Sequence, residues 1–275
     1  MAIQEITGQE TGTRFIGKLN SNFENVEAAS QYKGLTMLSI GDSITWGYCP
    51  RNYSGHTTGS QLNSFTKLAA ERLGMTYVDL GVSSSYVTNN GTDPMCLRVD
   101  DITRMPVSAD VITFMGGTND VRNPNTVPLG TMADRGTDTF YGALHTIMQK
   151  LYTKYIGDKP VADGKKVKIV ICTPIKLLDA SKSSQTNTIA NNAGVLYDWR
   201  GFIAAIKEVA AFYSLPVCDL HNLSGINPHL DRTVQGTATG YTGKYNPYIT
   251  DGTHPTQEGH EMMANLLVGF LKGLK

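Results

Sequence analysis

Residues 38–47 read LSIGDSITWG: a mostly apolar run stops abruptly at Gly-Asp-Ser, and small and polar residues take over. The run belongs to LTMLSIG (35–41). Four more short apolar runs recur along the chain, TYVDLGV (76–82), DVITFMGG (110–117), KVKIVICTP (166–174) and LPVCDL (215–220). Near-continuous apolar runs of this length fit strands buried on both faces, as in a parallel sheet. Between them, SFTKLAAERLG (64–74), TFYGALHTIMQKLYTKYIG (139–157) and TIANNAGVLYDWRGFIAAIKEVAAFYSL (188–215) carry apolar residues at helical spacing. A Gly/Thr/Tyr/Asn-rich loop then runs to residue 250. A last helix is expected from about Thr256, with a broad stripe of Met262, Met263, Leu266, Leu267, Phe270 and Leu271. The alternation predicts an open, doubly wound three-layer α/β/α sandwich with a five-stranded parallel sheet, a class in which ligands bind beyond the carboxyl ends of the strands. Ser43 stands at such an end.

The remaining features bound the reading. At 275 residues the chain suits one domain with an appendage, and we divide it into an amphipathic N-terminal segment, 1–34, and a main domain, 35–275. Within the first, Phe15, Leu19, Phe23 and Val26 repeat at helical spacing. Lys+Arg 24 against Asp+Glu 24 leaves zero formal charge, so neither nucleic acid nor a membrane surface is an expected partner. The N-terminus MAIQEITGQETG has no basic or apolar leader region, and no run approaches the roughly 20 apolar residues needed to span a bilayer. A soluble protein is expected, cytoplasmic by default, with a removed signal peptide left open. Cys172 and Cys218 lie in apolar runs and read as buried thiols; Cys49 and Cys96 lie in loops, where pairing stays open.

A serine hydroxyl becomes a nucleophile only with a base beside it, a group that orients the base, and donors for the oxyanion. ITDGTHPTQEGH (249–260) supplies a base and orienter, Asp251 three residues before His254, at the mouth of the last helix. FMGGTNDV (114–121) presents Asn119 beyond the third strand. Each cluster alone reads more readily as a helix cap or a turn than as a site. Three of them at one edge of a sheet favour a site. His260-Glu261 begins like a zinc-protease motif, but Ala264 stands where the second histidine belongs, so His260 reads as a helix-surface residue. His221, His229, His56 and His145 lack ligand spacing; no metal and no cofactor is expected. The nucleophile-elbow pattern Gly-x-Ser-x-Gly is absent because position 45 is threonine.

With GDSIT (41–45), GGTND (116–120) and DGTHP (251–255) in this order, and DLGVSSS (79–85) as a weaker fourth block, the sequence resembles the SGNH hydrolases, the GDSL esterase/lipase family. The resemblance implies a flavodoxin-like sheet of the SGNH type, Ser43 as nucleophile, His254 as base and Asp251 as its orienter. It further implies an oxyanion hole of the Ser43 backbone N–H, the Asn119 side-chain amide and a backbone N–H of the second block. The family pattern N-x-G-x-x-G reads Asp79-Leu80-Gly81-Val82-Ser83-Ser84 here, so Ser84 takes the usual glycine's place, with Gly81 as the alternative donor. A backbone donor can come from any residue but proline if φ/ψ permits.

The expected activity is hydrolysis of small acyl esters, acetyl above all, through an acyl-enzyme on Ser43. The Tyr/Asn/Thr/Gly-rich loops 47–60 and 222–248 suit a small-molecule or glycan ester. Alternatives are a lipase or thioesterase of the same family, or a silent structural or carbohydrate-binding module on this fold. Residues 11–26, TGTRFIGKLNSNFENV, are similar to segments of phage tail and virion proteins. That likeness implies association with a phage particle; the plainer alternative is a helix packed on the main domain or on another subunit of an oligomer.

Overall fold

The run ending in Gly-Asp-Ser forms strand β1 (Thr36–Gly41) of a computed structural model that describes residues 31–274, except 51–54, 102–103, 106–107, 123–126, 157–166, 177–187, 191–195, 227–231, 234–243, 246 and 250. The helices are α1 (Ser43–Trp46), α2 (Phe65–Leu73), α3 (Met95–Arg98), α4 (Thr118–Arg122), α5 (Phe140–Tyr155), α6 (Trp199–Phe212), α7 (Leu220–Leu223) and α8 (Gln257–Gly273). The other strands are β2 (Thr76–Gly81), β3 (Val111–Met115), β4 (Lys168–Cys172), β5 (Thr188–Ala190), β6 (Leu196–Asp198), β7 (Val217–Cys218), β8 (Arg232–Thr233) and β9 (Lys244–Tyr245). Five strands pair in the order β2-β1-β3-β4-β7, all parallel. This is the α/β sandwich of the SGNH hydrolase type that the sequence leads one to expect.

Period-2 alternation divides the core between the two faces. Leu38 and Ile40 of β1, Ile112 and Phe114 of β3 and Ile169 and Ile171 of β4 pack with α5 and α6. Met37, Val111, Met115, Val170 and Cys172 point the other way, to α2 and α8. The helices start where a side chain can take an orphan N–H: Ser64, Thr139 and Thr256 cap α2, α5 and α8. On α8, Met263, Leu267 and Leu271 are buried, while Met262, Leu266 and Phe270 pack partly covered at the edge of the core.

Two expectations need correction. The helix expected over 188–215 spans only Trp199–Phe212, and β5 pairs antiparallel with β6 ahead of it. The sequence between those strands, NNAGV, is rich in turn formers, and the apolar period breaks there. The fifth run yields just two sheet residues, Val217–Cys218, because Pro216 has no N–H to give the ladder. All four cysteines are buried, Cys49 and Cys96 as well as the core pair.

Of the expected appendage, residues 1–30 lie outside the described residues, including the Phe15/Leu19/Phe23/Val26 stripe. Tyr32 is buried in the main core, where its hydroxyl donates to Leu271 O at 2.6 Å. No helix among the described residues is long and apolar enough to cross a membrane.

Candidate active site

Register explains why three separate blocks meet. Gly41 at the end of β1 pairs with Gly81 of β2 on one side and Met115 of β3 on the other, so the three strands finish level. Ser43, Ser84 and Asn119 follow those ends by two, three and four residues. They emerge beside one another at the point where the sheet order reverses from β1 toward β2 to β1 toward β3.

Ser43 is the first residue of α1, and Asp42 is the cap: its Oδ1 accepts the Ile44 N–H at 2.9 Å. Burial pushes the Asp42 carboxyl up, against the hydrogen bond from the Ile44 N–H and the nearby Arg98 charge. The turn can be this tight because Gly41 has no side chain. A Cβ there would lie 2.7 Å from Met115 O and closer still to Thr45.

Ser43 Oγ lies 2.9 Å from His254 Nε2, and His254 Nδ1 lies 2.8 Å from Asp251 Oδ2. Asp251 Oδ1 also accepts the backbone N–H groups of Thr253 (2.9 Å) and His254 (2.8 Å). A three-residue turn thus closes on its own carboxylate and aims the imidazole. Burial raises the Asp251 pKa, but the hydrogen bonds from the His254 ring and from two amides outweigh it and hold the carboxyl down at about 2. An ionised carboxylate only accepts, so the imidazole proton sits on Nδ1 and Nε2 is left to accept from the serine hydroxyl. Tyr48 sets its ring against His254, edge on, with centroids 5.2 Å apart. Arg122 donates to Thr253 Oγ1 at 3.1 Å from the side of α4.

Ser84 occupies a left-handed conformation, φ 63°. Ser85 N–H donates to Val82 O at 3.1 Å, so residues 82–85 form a tight turn whose third position requires φ > 0. Among the described residues no hydrogen bond engages the Ser84 N–H. Gly81 differs: its N–H donates to Asp79 Oδ1 at 2.8 Å, within its own strand end. Gly81 must be glycine for another reason, since a Cβ would approach Trp46 N to 2.4 Å. Asn119 Nδ2 donates to Ser85 O at 2.9 Å, which ties the third block to this turn. Asp120, the next residue, is fully buried and accepts from Val87 N–H (2.8 Å), Thr88 N–H (3.0 Å) and the Thr88 hydroxyl (2.9 Å). Burial pushes its carboxyl up to about 6 despite those donors.

The structure therefore links Ser43, His254 and Asp251 directly, ties Asn119 to the turn that holds Ser84, and turns the Gly81 N–H elsewhere. No motif points to Tyr48 against His254, and Asp120 reads from sequence only as a turn former beside Asn119. Among the described residues no three His, Cys, Asp or Glu side chains cluster as a metal site would need. His260, expected on the surface, is fully buried; it lies three and four positions before Met263 and Ala264 and so shares their core face. Its Nδ1 accepts the Phe65 N–H at 3.2 Å at the start of α2. Burial lowers its pKa to about 3.

Comparison with known proteins bears on the family and the fold. The family described as "GDSL-like Lipase/Acylhydrolase family" matches residues 39–262. No curated protein matches. Among solved structures, a Lactobacillus plantarum protein is 24% identical, with a TM-score of 0.64 over 88% of this chain and 99% of its own. A lipase/acylhydrolase from Enterococcus faecalis is 17% identical, with a TM-score of 0.53 over 87% and 96%. A carbohydrate acetylesterase family member from Sinorhizobium meliloti is 18% identical, with a TM-score of 0.54 over 87% and 100%. At these identities the likeness is one of fold.

Proposed function

Since the chain belongs to the GDSL-like lipase/acylhydrolase family, we propose that it is a serine ester hydrolase that forms and hydrolyses an acyl-enzyme on Ser43. The observation that carries this reading is the continuous line from Ser43 Oγ through the His254 ring to Asp251, with links of 2.9 and 2.8 Å. In the proposed cycle, Ser43 Oγ attacks the ester carbonyl as its proton passes to His254 Nε2. Asp251 stabilises the imidazolium, which then protonates the departing alcohol. Water, deprotonated by the same nitrogen, releases the acid.

The oxyanion of each tetrahedral intermediate would be held by the Ser43 N–H, the Ser84 N–H and Asn119 Nδ2. We assign the second-block donor to Ser84 because the Gly81 N–H already bonds Asp79.

For substrate we propose small acyl groups, acetyl first, carried on a carbohydrate. Tyr48 beside His254, with Trp46 6.1 Å from Tyr48, supplies aromatic surface of the kind that packs on sugars. The fold is also shared with a protein described as a carbohydrate acetylesterase family member. Turnover of p-nitrophenyl esters from acetate to octanoate, together with acetylated sugars, tests both parts. Fastest turnover on acetyl esters is expected; a marked preference for chains of eight or more carbons would sink the acetyl assignment in favour of a lipase or thioesterase.

A further inference from the structure

The turn that carries Ser43 rests on a buried arginine with no part in the chemistry above. Arg98, the last residue of α3, is 3% exposed. Its Nη2 donates to Gly41 O at 3.0 Å and its Nη1 to Asp93 Oδ2 at 3.3 Å. Gly41 O accepts a second hydrogen bond, from Val82 N–H at 3.1 Å, and Val82 opens the turn that holds Ser84. Asp93 reaches the same turn from its far side, because Ser85 Oγ donates to Asp93 O at 2.8 Å. Ser85 O in turn accepts Asn119 Nδ2. One guanidinium thus joins the end of the nucleophile strand, both sides of the Ser84 turn and, through Ser85, the Asn119 amide.

The arrangement is costly. Taking an arginine out of water is unfavourable unless it is well paired, yet Arg98 Nε is buried without a partner among the described residues. Asp93 sits at φ 41° to meet the fork and is held a second time by Arg104, at 2.8 Å to each carboxylate oxygen. A lysine could satisfy the charge but not both ends of the bridge, since only a planar fork donates in two fixed directions.

We propose that Arg98 is a positioning residue that holds the Ser43 turn and the Ser84 and Asn119 donors in mutual register. The inference rests on the ester-hydrolase reading above. It is tested with Arg98→Lys in the full chain, with p-nitrophenyl acetate as substrate and a trifluoromethyl ketone as mimic of the tetrahedral intermediate. For folded Arg98→Lys, kcat falls roughly 10- to 100-fold, as for an ångström-scale misplacement of catalytic groups. KM stays within about threefold, the pH dependence keeps its midpoint because His254 and Asp251 are untouched, and the ketone weakens by the same factor as kcat/KM. A purely structural arginine would lower the melting temperature alone. Wild-type kcat in folded Arg98→Lys, or a loss confined to KM, overturns the proposal. If Arg98→Lys does not fold, Asp93→Asn carries the same test with a smaller expected loss, roughly 3- to 10-fold, and a full-rate Asp93→Asn overturns it. Wild-type protein that hydrolyses no ester and takes no fluorophosphonate on Ser43 refutes the ester-hydrolase reading itself. Active wild type with full-rate variants refutes only the role of Arg98.

Discussion

Ser84→Gly should make the protein more stable and leave it active. At φ 63° Ser84 holds a backbone conformation that costs a residue with a Cβ roughly 1–2 kcal/mol. Glycine removes that cost but gives up about 0.5–1 kcal/mol through its freer unfolded chain. The net gain is about 0.5–1 kcal/mol. For a domain of this size each kcal/mol moves the melting temperature by about 2–4 °C, so a rise of about 1–4 °C is expected. The N–H is retained, so kcat on p-nitrophenyl acetate should stay within about threefold of wild type, and Ser84→Ala should match the serine in both respects. Ser84→Pro deletes the N–H and forces φ toward about −65°, and a lost oxyanion donor costs roughly 10²–10³ in kcat. Thermal melting precedes the rate measurements, so that unfolded variants are not counted. A lower melting temperature for Ser84→Gly would refute the strain argument; a folded Ser84→Pro with near-normal kcat would refute the donor role, and a large loss in Ser84→Ala would transfer that role to the hydroxyl.

Asn119→Ala should lose roughly 10²–10³ in kcat with KM little changed, measured on the same ester; a shift in KM alone would make Asn119 a binding residue only. Asp251→Asn, isosteric but unable to hold the Nδ1 proton as an ion does, should drop kcat about 10⁴-fold without loss of fold, and a loss under tenfold would remove Asp251 from the proposed triad. His260 is kept neutral in the folded state at a pKa of about 3, well below the usual value of about 6.5. The unfolded chain therefore gains the proton first. Stability is complete above about pH 6.5 and falls as pH drops toward 3, by up to about 1.4 kcal/mol per pH unit. Between pH 8 and pH 5.5, wild type should lose about 1.4 kcal/mol more than His260→Gln in urea unfolding, and parallel curves would contradict this.

The strands and the blocks at their ends were legible because both follow from local pattern. A strand buried on both faces must be apolar throughout, and a serine at its carboxyl end has to interrupt the run visibly. The meeting of Ser43, Ser84 and Asn119 at one edge follows from strand ends brought level by parallel register, whereas Asp251 and His254 come from the turn that precedes α8. What the sequence hid depends on partners far along the chain. His260 carries a polar name at a position whose helical spacing is that of Met263 and Leu267, and its burial rests on Phe65, 195 residues away. Gly81 and Ser84 both suited the donor role until Asp79 was found to engage the Gly81 N–H. Arg98 lies in no motif, and its two contacts, Gly41 and Asp93, are unrelated to it by any periodicity. Over 188–198 isolated apolar residues on either side of NNAGV match a helical period by chance, whereas the sequence between them favours a turn and the flanking strands pair.

The central claim is that Ser43 is the nucleophile, activated by His254. Folded protein treated with a fluorophosphonate, digested and read by peptide mass spectrometry tests it most directly. A single adduct on Ser43 is expected, formed far more slowly in His254→Ala and absent in Ser43→Ala. An unlabelled Ser43 in folded wild type, or equal labelling after His254→Ala, would contradict it.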